Sequence, residues 1–336
     1  MGLTLPVGIS RRGIESIELS NPATCHLLVG GVTGAGKTSF LRQMLLFSFL
    51  HYSQEELIVY LIDLKRTEFT QFRYVDQVYG IATDLEEAIN IVEFLNKAID
   101  ARLDLFEKND AVDIDSYNTK ANKNFESQLP RLLLIIDELS ELAPAHESSK
   151  TIKKEKEAFH NLLDRITRVG RGCGVHNVLC TQRPDVQSIP GYIKANLPAT
   201  IAFKTRSQID SQVLLGNDSS YLLSPIPGRG IYNYGHDYIE FQTVYVTPED
   251  VPLILQSQQL QLVTRGGGER LLNKKDFALC CMESIIFRRH SSEITLWDIV
   301  ASKHFEIPTE QVTEEHRDLA KQLYYMFLWA EIEERR

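Results

Sequence analysis

The sequence predicts an α/β fold: a mostly parallel central sheet flanked by helices. Three observations predict it. Short apolar runs alternate with amphipathic stretches between residues 26 and 204, the pattern of strand–helix–strand units. One unit joins its strand to its helix through Gly31-Val32-Thr33-Gly34-Ala35-Gly36-Lys37-Thr38, which fits G-x-x-x-x-G-K-[ST]. A further apolar strand ends in two adjacent carboxylates, Asp137 and Glu138.

Taken in order, residues 3–25 read as short strands and turns leading to a buried strand at 26–30. A helix follows the glycine-rich loop, over 39–47. Residues 57–63 form a second β-rich run that closes on Asp63. Residues 84–108 have the length and periodicity of an amphipathic helix, with Asp84 placed to cap its first turn. The polar stretch 110–128 reads as a helix fragment and an exposed loop. Strands follow at 131–137, 175–181 and 199–204, with a charged helix at 148–171 between the first two. Alternating residues at 231–234 and 238–245, around Gly235-His236-Asp237, read as a hairpin. Arg265-Gly266-Gly267-Gly268 marks a linker. The expected organisation is therefore a nucleotide-binding domain over 1–262, a Gly-rich linker at 263–269 and a small all-helical module at 270–336, with its last helix over 314–336.

The chain has 336 residues, 43% of them hydrophobic, and a net charge of −9, so it is not coated in nucleic-acid-binding charge. A basic stripe inside a channel remains compatible with that sign. Its five cysteines, Cys25, Cys173, Cys180, Cys280 and Cys281, form no CxxC pair, which points to a reduced, cytoplasmic setting. No apolar run has the length of a membrane span and no signal-peptide pattern opens the chain. An upstream region, membrane segment included, is compatible with the Met1-Gly2 start.

The glycine-rich loop sits where a strand meets a helix N-terminus, a position that favours polyphosphate. Gly31, Thr33, Gly34, Ala35, Gly36, Lys37, Thr38 and Ser39 are the candidate nucleotide-binding residues. Lys37 is expected to reach the β- and γ-phosphates of ATP, and the Thr38 hydroxyl to ligate Mg²⁺. Asp137 belongs beside the same metal, and Glu138 where a base polarises water. Thr181 or Gln182, at the end of the 175–181 strand, is placed to sense the γ-phosphate. Arg165, Arg168 and Arg171 recur at a spacing of three, near one helical stripe, just before the helix stop at Gly172-Cys173-Gly174. An arginine held there can be presented to a neighbouring copy.

Several blocks in order extend this reading: 26–39, 61–65, Thr83-Asp84, 134–139, Gly174-Val175-His176 running on to Thr181-Gln182-Arg183-Pro184, Ile193-Lys194-Ala195-Asn196, 201–203 and 208–211. Over residues 3–256 the chain resembles the motor domain of the FtsK/SpoIIIE-type DNA translocases, within the FtsK–HerA group of P-loop ATPases. The resemblance implies a RecA-like fold assembling as a ring, usually a hexamer, with double-stranded DNA in the central hole and ATP between subunits. By position it implies Gln182 as sensor, Arg171 as the trans-acting arginine, and Arg183 and Lys194 facing the DNA backbone. Gln208 and Gln212 stand where the family often carries basic residues, and Lys204 and Arg206 are nearby candidates to compensate. Pro227-Gly228-Arg229-Gly230 departs from the family's Gly-x-Gly-Asp, and residues 270–336 do not resemble its DNA-reading winged helix.

The expected activity is an ATP-driven, Mg²⁺-dependent DNA translocase of plasmid, phage or conjugative-element type. Alternatives are a conjugative coupling ATPase recruiting a relaxase and a type VII-like protein-secretion ATPase. Residues 270–336 are the expected dock for a protein partner such as a relaxase, replication or membrane component. A nucleotide-binding scaffold and a small-molecule kinase fit less well: a scaffold has no need of Glu138, and no lid or acceptor motif is visible.

Overall fold

The computed structural model describes residues 2–123, 127–235, 237–252, 254–255 and 313. The expected linker at 263–269, the helical module at 270–336, Cys280 and Cys281 lie outside these residues. Ten strands form one sheet: β1 (Thr4–Ser10), β2 (Gly13–Glu18), β3 (His26–Gly30), β4 (Leu57–Ile62), β5 (Val78–Ala82), β6 (Arg131–Ile136), β7 (Val175–Thr181), β8 (Ala199–Phe203), β9 (Arg229–Tyr234) and β10 (Asp237–Gln242). Their spatial order is β2-β1-β10-β9-β8-β3-β7-β6-β4-β5. From β8 to β5 every pairing is parallel. From β2 to β8 every pairing is antiparallel.

The two halves follow from their residues. In β3, β6, β7 and β8 every residue is buried, as expected of parallel strands covered on both faces. Alternate residues serve opposite layers. Leu27, Val29, Leu133 and Ile135 join the core under α1 (Lys37–His51). Leu28, Leu132, Leu134 and Ile136 join the core under α2 (Leu85–Lys108) and α4 (Lys150–Val169). The α3 helix (Ile114–Lys123) closes the second layer through Ile114. Asp84 caps α2 as expected: its Oδ1 accepts from Glu87 N at 2.9 Å, and Glu87 Oε2 accepts from Thr83 N at 2.7 Å.

Four features depart from the sequence reading. The edge strand β5 went unread because Gly80 interrupts it and Tyr79 is exposed, which blurs its alternation. The short helices α5 (Gly191–Lys194) and α7 (Ser219–Leu222), and the two-turn α6 (Gln208–Leu215), are too short for a helical period to stand out. The helix expected to run to 171 stops at Val169, and its cap position needs glycine, because a Cβ on Gly170 would meet Ile166 O at 2.5 Å. The hairpin's second strand, expected to reach 245, ends at Gln242.

Residues 243–246 instead run along α1 as a strap. Ser39 Oγ donates to Val244 O at 3.0 Å and accepts from Val246 N at 2.6 Å. Gln43 Oε1 accepts from Thr243 Oγ1 at 2.8 Å and from Val244 N at 2.9 Å. This explains why α1, buried nearly all round, carries polar Ser39 and Gln43. Gln43→Leu leaves a buried amide and hydroxyl unpaired, so it should cost about 1–3 kcal/mol. A lowered urea midpoint with an unchanged slope is the expected reading; an unchanged midpoint would show that Gln43 does not hold the strap.

Candidate nucleotide-binding site

The loop between β3 and α1 is shaped by glycine. Gly34 and Gly36 adopt φ of 78° and 112°, which side chains resist. A Cβ on Gly36 would lie 2.3 Å from Gly228 N, so the loop rests directly on the backbone of 227–228. Gly228 N donates to Ala35 O at 2.8 Å, and Ala35 N to Val32 O at 3.1 Å. On the other side nothing lies within 4 Å of a Cβ built on Gly34. The loop therefore has a braced inner side and an open outer side, with the unpartnered N–H groups of the first α1 turn beside it. Gly31 N donates to Thr181 O at 3.3 Å and Val32 N to Lys204 O at 3.0 Å, hanging the loop between the ends of β7 and β8.

Lys37 opens α1 with its side chain buried and its Nζ without a hydrogen-bond partner. Burial pushes its pKa down, against the pull of Glu138, Cys180 and Asp137. An orphaned buried ammonium at a helix N-terminus fits a site for phosphate. Thr38, half-buried in the same turn, brings a hydroxyl. Ser39 does not turn to the loop: its hydroxyl is committed to the strap, which leaves only its backbone N–H for a phosphate.

The two carboxylates at the end of β6 are both buried. Burial raises the Asp137 pKa to about 6, with Lys37 pulling it down and Glu68, Asp63 and Glu138 adding to the rise. Glu138 is held in place. Its Oε1 accepts from Ser140 Oγ at 2.7 Å, Thr181 Oγ1 at 2.9 Å and Gln182 N at 3.1 Å. Its Oε2 accepts from Gln182 N at 2.9 Å and faces Lys65 Nζ at 3.9 Å. Oε1 is thus crowded with donors and Oε2 is the oxygen left for a further partner. Gln182 meets the loop: its Oε1 accepts from Thr33 Oγ1 at 2.5 Å. Thr38 and Asp137 offer the hard oxygens that Mg²⁺ prefers. Among the described residues no three His, Cys, Asp or Glu side chains form a metal cage.

Arg171 lies elsewhere. It is exposed, in the turn between α4 and β7, close enough to influence Cys25 and His26 at the start of β3. The length of β3, about 15 Å, separates it from the loop of its own chain. Its turn is pinned from inside: Arg102 on α2, buried, donates to Cys173 O at 2.6 Å and Pro130 O at 2.7 Å, and Ile114 N donates to Gly172 O at 2.9 Å. The other two arginines of the stripe are used internally, Arg165 on Asn96 and Asp100, and Arg168 on Asp164.

The four candidate DNA contacts divide. Arg183 and Arg206 are exposed. Lys194 and Lys204 fold back: Lys194 Nζ donates to Val213 O in the last turn of α6, and Lys204 Nζ to Tyr221 O while lying over the Tyr221 ring. Both lysines close local structure, because the last turns of α6 and α7 leave carbonyls that a nearby ammonium satisfies.

Asp63, Lys65, Ser140, Thr181 and Gly228 also shape the site. Asp63 ended a predicted strand and Thr181 was the alternative sensor, so both carried a signal. Ser140 and Lys65 act through Glu138, and Gly228 is 192 positions from Gly36, a contact that no local pattern announces.

Fold and site together define a P-loop nucleotide-binding protein of the ATPase type. The FtsK/SpoIIIE family profile matches residues 2–186, more than half of the chain, and the chain belongs to that family. It is 34% identical over 206 residues to the DNA translocase FtsK of Helicobacter pylori strain J99, covering 61% of this chain and 23% of that protein. The chain thus spans about a quarter of that relative. Among solved structures it is similar to the pCW3 conjugation coupling protein TcpA in its monomer form with ATPγS, with TM-score 0.68, 26% identity, and coverage of 77% of this chain and 70% of that one. It is also similar to the cytoplasmic domain of the Thermomonospora curvata type VII secretion ATPase EccC, with TM-score 0.62, 26% identity, and coverage of 73% and 29%. Among the described residues no helix is long and apolar enough to cross a membrane.

The Asp137 carboxyl binds its proton more tightly folded than unfolded, so folding is favoured at low pH and disfavoured once the group must ionise inside. The penalty is absent below pH 3.8, grows as pH rises and is complete above about 6. A rise of about two pH units corresponds to about 3 kcal/mol. Asp137→Asn should therefore melt above the parent protein at pH 8 without divalent cations, and the gap should close below about pH 4. Equal melting at pH 8 would show that Asp137 ionises there at no cost.

Proposed function

We propose that this chain is an ATP-driven double-stranded DNA translocase that works as a ring, probing DNA through its backbone and hydrolysing ATP between neighbouring copies. The observation that carries this reading is the split site: Lys37, Asp137, Glu138 and Gln182 converge at one edge of the sheet, while Arg171 stands exposed at the other. An arginine there serves a second copy, which favours a head-to-tail ring, a hexamer by the family resemblance.

In this reading Lys37 and the loop amides hold the phosphates, and Thr38 and Asp137 hold Mg²⁺. Mg²⁺–ATP bound there would supply the phosphoanhydride and neutralise charge on its phosphates. Glu138, fixed by Ser140, Thr181 and Gln182, presents Oε2 to a water and takes its proton. Gln182, bonded to Thr33, ties the loop to the same strand end as Glu138. Arg183 and Arg206, exposed cations on an acidic chain, are the contacts to DNA phosphate. The structural likeness to TcpA, with TM-score 0.68 against 0.62 for EccC, favours a conjugative coupling member of the family over a type VII secretion ATPase. Recruitment of a relaxase through 270–336 belongs to that variant.

The ATPase rate should rise with long double-stranded DNA and the stimulation should fall with salt. Arg183→Ala/Arg206→Ala should flatten the logarithmic salt dependence by about 0.9 for each lost phosphate contact. Turnover indifferent to DNA would move the assignment to protein secretion. Arg171→Ala and Lys37→Ala should each be inactive alone, yet mixtures should recover part of the turnover, because each damages a different half of the shared site. No recovery at any ratio would remove the trans role of Arg171.

A further inference from the structure

A buried carboxylate beside Asp137 has one oxygen with nothing to do. Asp63 follows β4 directly, as Asp137 follows β6, and the two strands pair in parallel with Ile62 opposite Ile136. Asp63 and Asp137 are therefore neighbours on the same pleat, about 4.8 Å apart at Cα. Asp63 is 1% exposed. Its Oδ2 accepts from Glu68 N at 2.8 Å and Phe69 N at 3.0 Å, fixing the turn after β4. Its Oδ1 is equally enclosed and has no partner. Turn capping accounts for one oxygen only.

The surroundings offer Oδ1 no protein donor in reach. Glu68, the other acid beside it, is already paired with Arg42 at 2.8 Å. Lys65 is turned toward Glu138 and Glu141. Buried polar atoms are almost always satisfied, and an exception calls for water or an ion. Mg²⁺ keeps several water ligands, whose protons need acceptors of fixed direction.

We propose that Asp63 is the second carboxylate of the Mg²⁺ site, its Oδ1 accepting a hydrogen bond from a water held by the metal beside Asp137 and Thr38. This rests on the nucleotide-site reading above and adds to it a residue that orients the metal's hydration shell without ligating the metal. Asp63 is thus a positioning residue: one oxygen holds the 68–69 turn and the other the hydrated ion. The turn it holds also carries Glu68, which pairs with Arg42 on α1.

Asp63→Asn separates the two duties, because an amide oxygen still caps Glu68 N and Phe69 N while the charge toward the ion is lost. A fluorescent ATP analogue is titrated in EDTA and then at rising Mg²⁺ in the full chain. The variant should bind the analogue in EDTA as the parent does, melt within a degree or two of it without metal, and need about 10–100-fold more Mg²⁺ for the metal-dependent step. An unchanged Mg²⁺ midpoint overturns the proposal. Equal weakening with and without Mg²⁺ also overturns it, as a structural effect. Should Asp63→Asn melt early, Asp63→Ser, which retains a hydroxyl acceptor for the turn, carries the same test. A parent protein that binds no analogue, or binds it equally well as Lys37→Ala, overturns the nucleotide-site reading itself, a result distinct from either of the others.

Discussion

The site depends on the parallel register at the ends of four neighbouring strands. Gly30 lies opposite Thr181, Ile136 opposite Leu179, and Ile62 opposite Ile136. Two residues beyond Leu179 and Ile136, Thr181 and Glu138 come side by side, which is why the Thr181 hydroxyl reaches Glu138 Oε1. One residue beyond Ile62 and Ile136, the same register sets Asp63 beside Asp137. A slip of one residue in any pair would turn these side chains to the opposite layer. The backbone ladder, more than any side-chain contact, therefore brings residues 100 positions apart into one cluster.

That cluster is expensive to fold. Burial pushes Lys37 toward its neutral form and Asp137 likewise, and their mutual attraction offsets only part of it. The cost is met away from the site. The fully buried parallel strands share two apolar layers. The antiparallel extension β9-β10-β1-β2 lengthens the sheet and carries the core beyond β8. The strap over 243–246 locks the first two turns of α1. Gly228 braces the loop through backbone alone, so the loop's shape survives without any side chain crowding its open face.

Much of this is legible in the sequence. Strong apolar runs at 26–30, 57–63, 131–137 and 175–181 announced the parallel strands, and Asp84 announced the start of α2. Lys37, Asp137, Glu138 and Gln182 are legible as a group because they sit in the glycine-rich loop and at the ends of apolar strands, and the fold brings those ends together. Less was legible where the partner is distant or made of backbone. Ser39 looked like part of the phosphate loop, yet its hydroxyl answers a segment 205 residues later. Lys194 and Lys204 looked like outward charges because sequence shows a charge but not the carbonyl that captures it. β5 and α6 were missed since five to eight residues hold too little period to read.

The separation between the glycine-rich loop and the Arg171 turn is fixed by strands. Strands β3 and β7 run directly from the Arg171 turn to the phosphate loop, and each is hydrogen-bonded along its length to the other. Strands of this kind resist stretching, so they hold the turn and the loop at a fixed separation. Arg102 makes the turn equally stiff. Burial lowers its pKa only to about 10, so it stays charged while donating to Cys173 O and Pro130 O. A buried arginine with both donor arms on backbone carbonyls fixes a turn more firmly than apolar packing alone, because moving it strands a charge. The Arg171 turn and the glycine-rich loop are therefore two ends of one stiff unit within the chain.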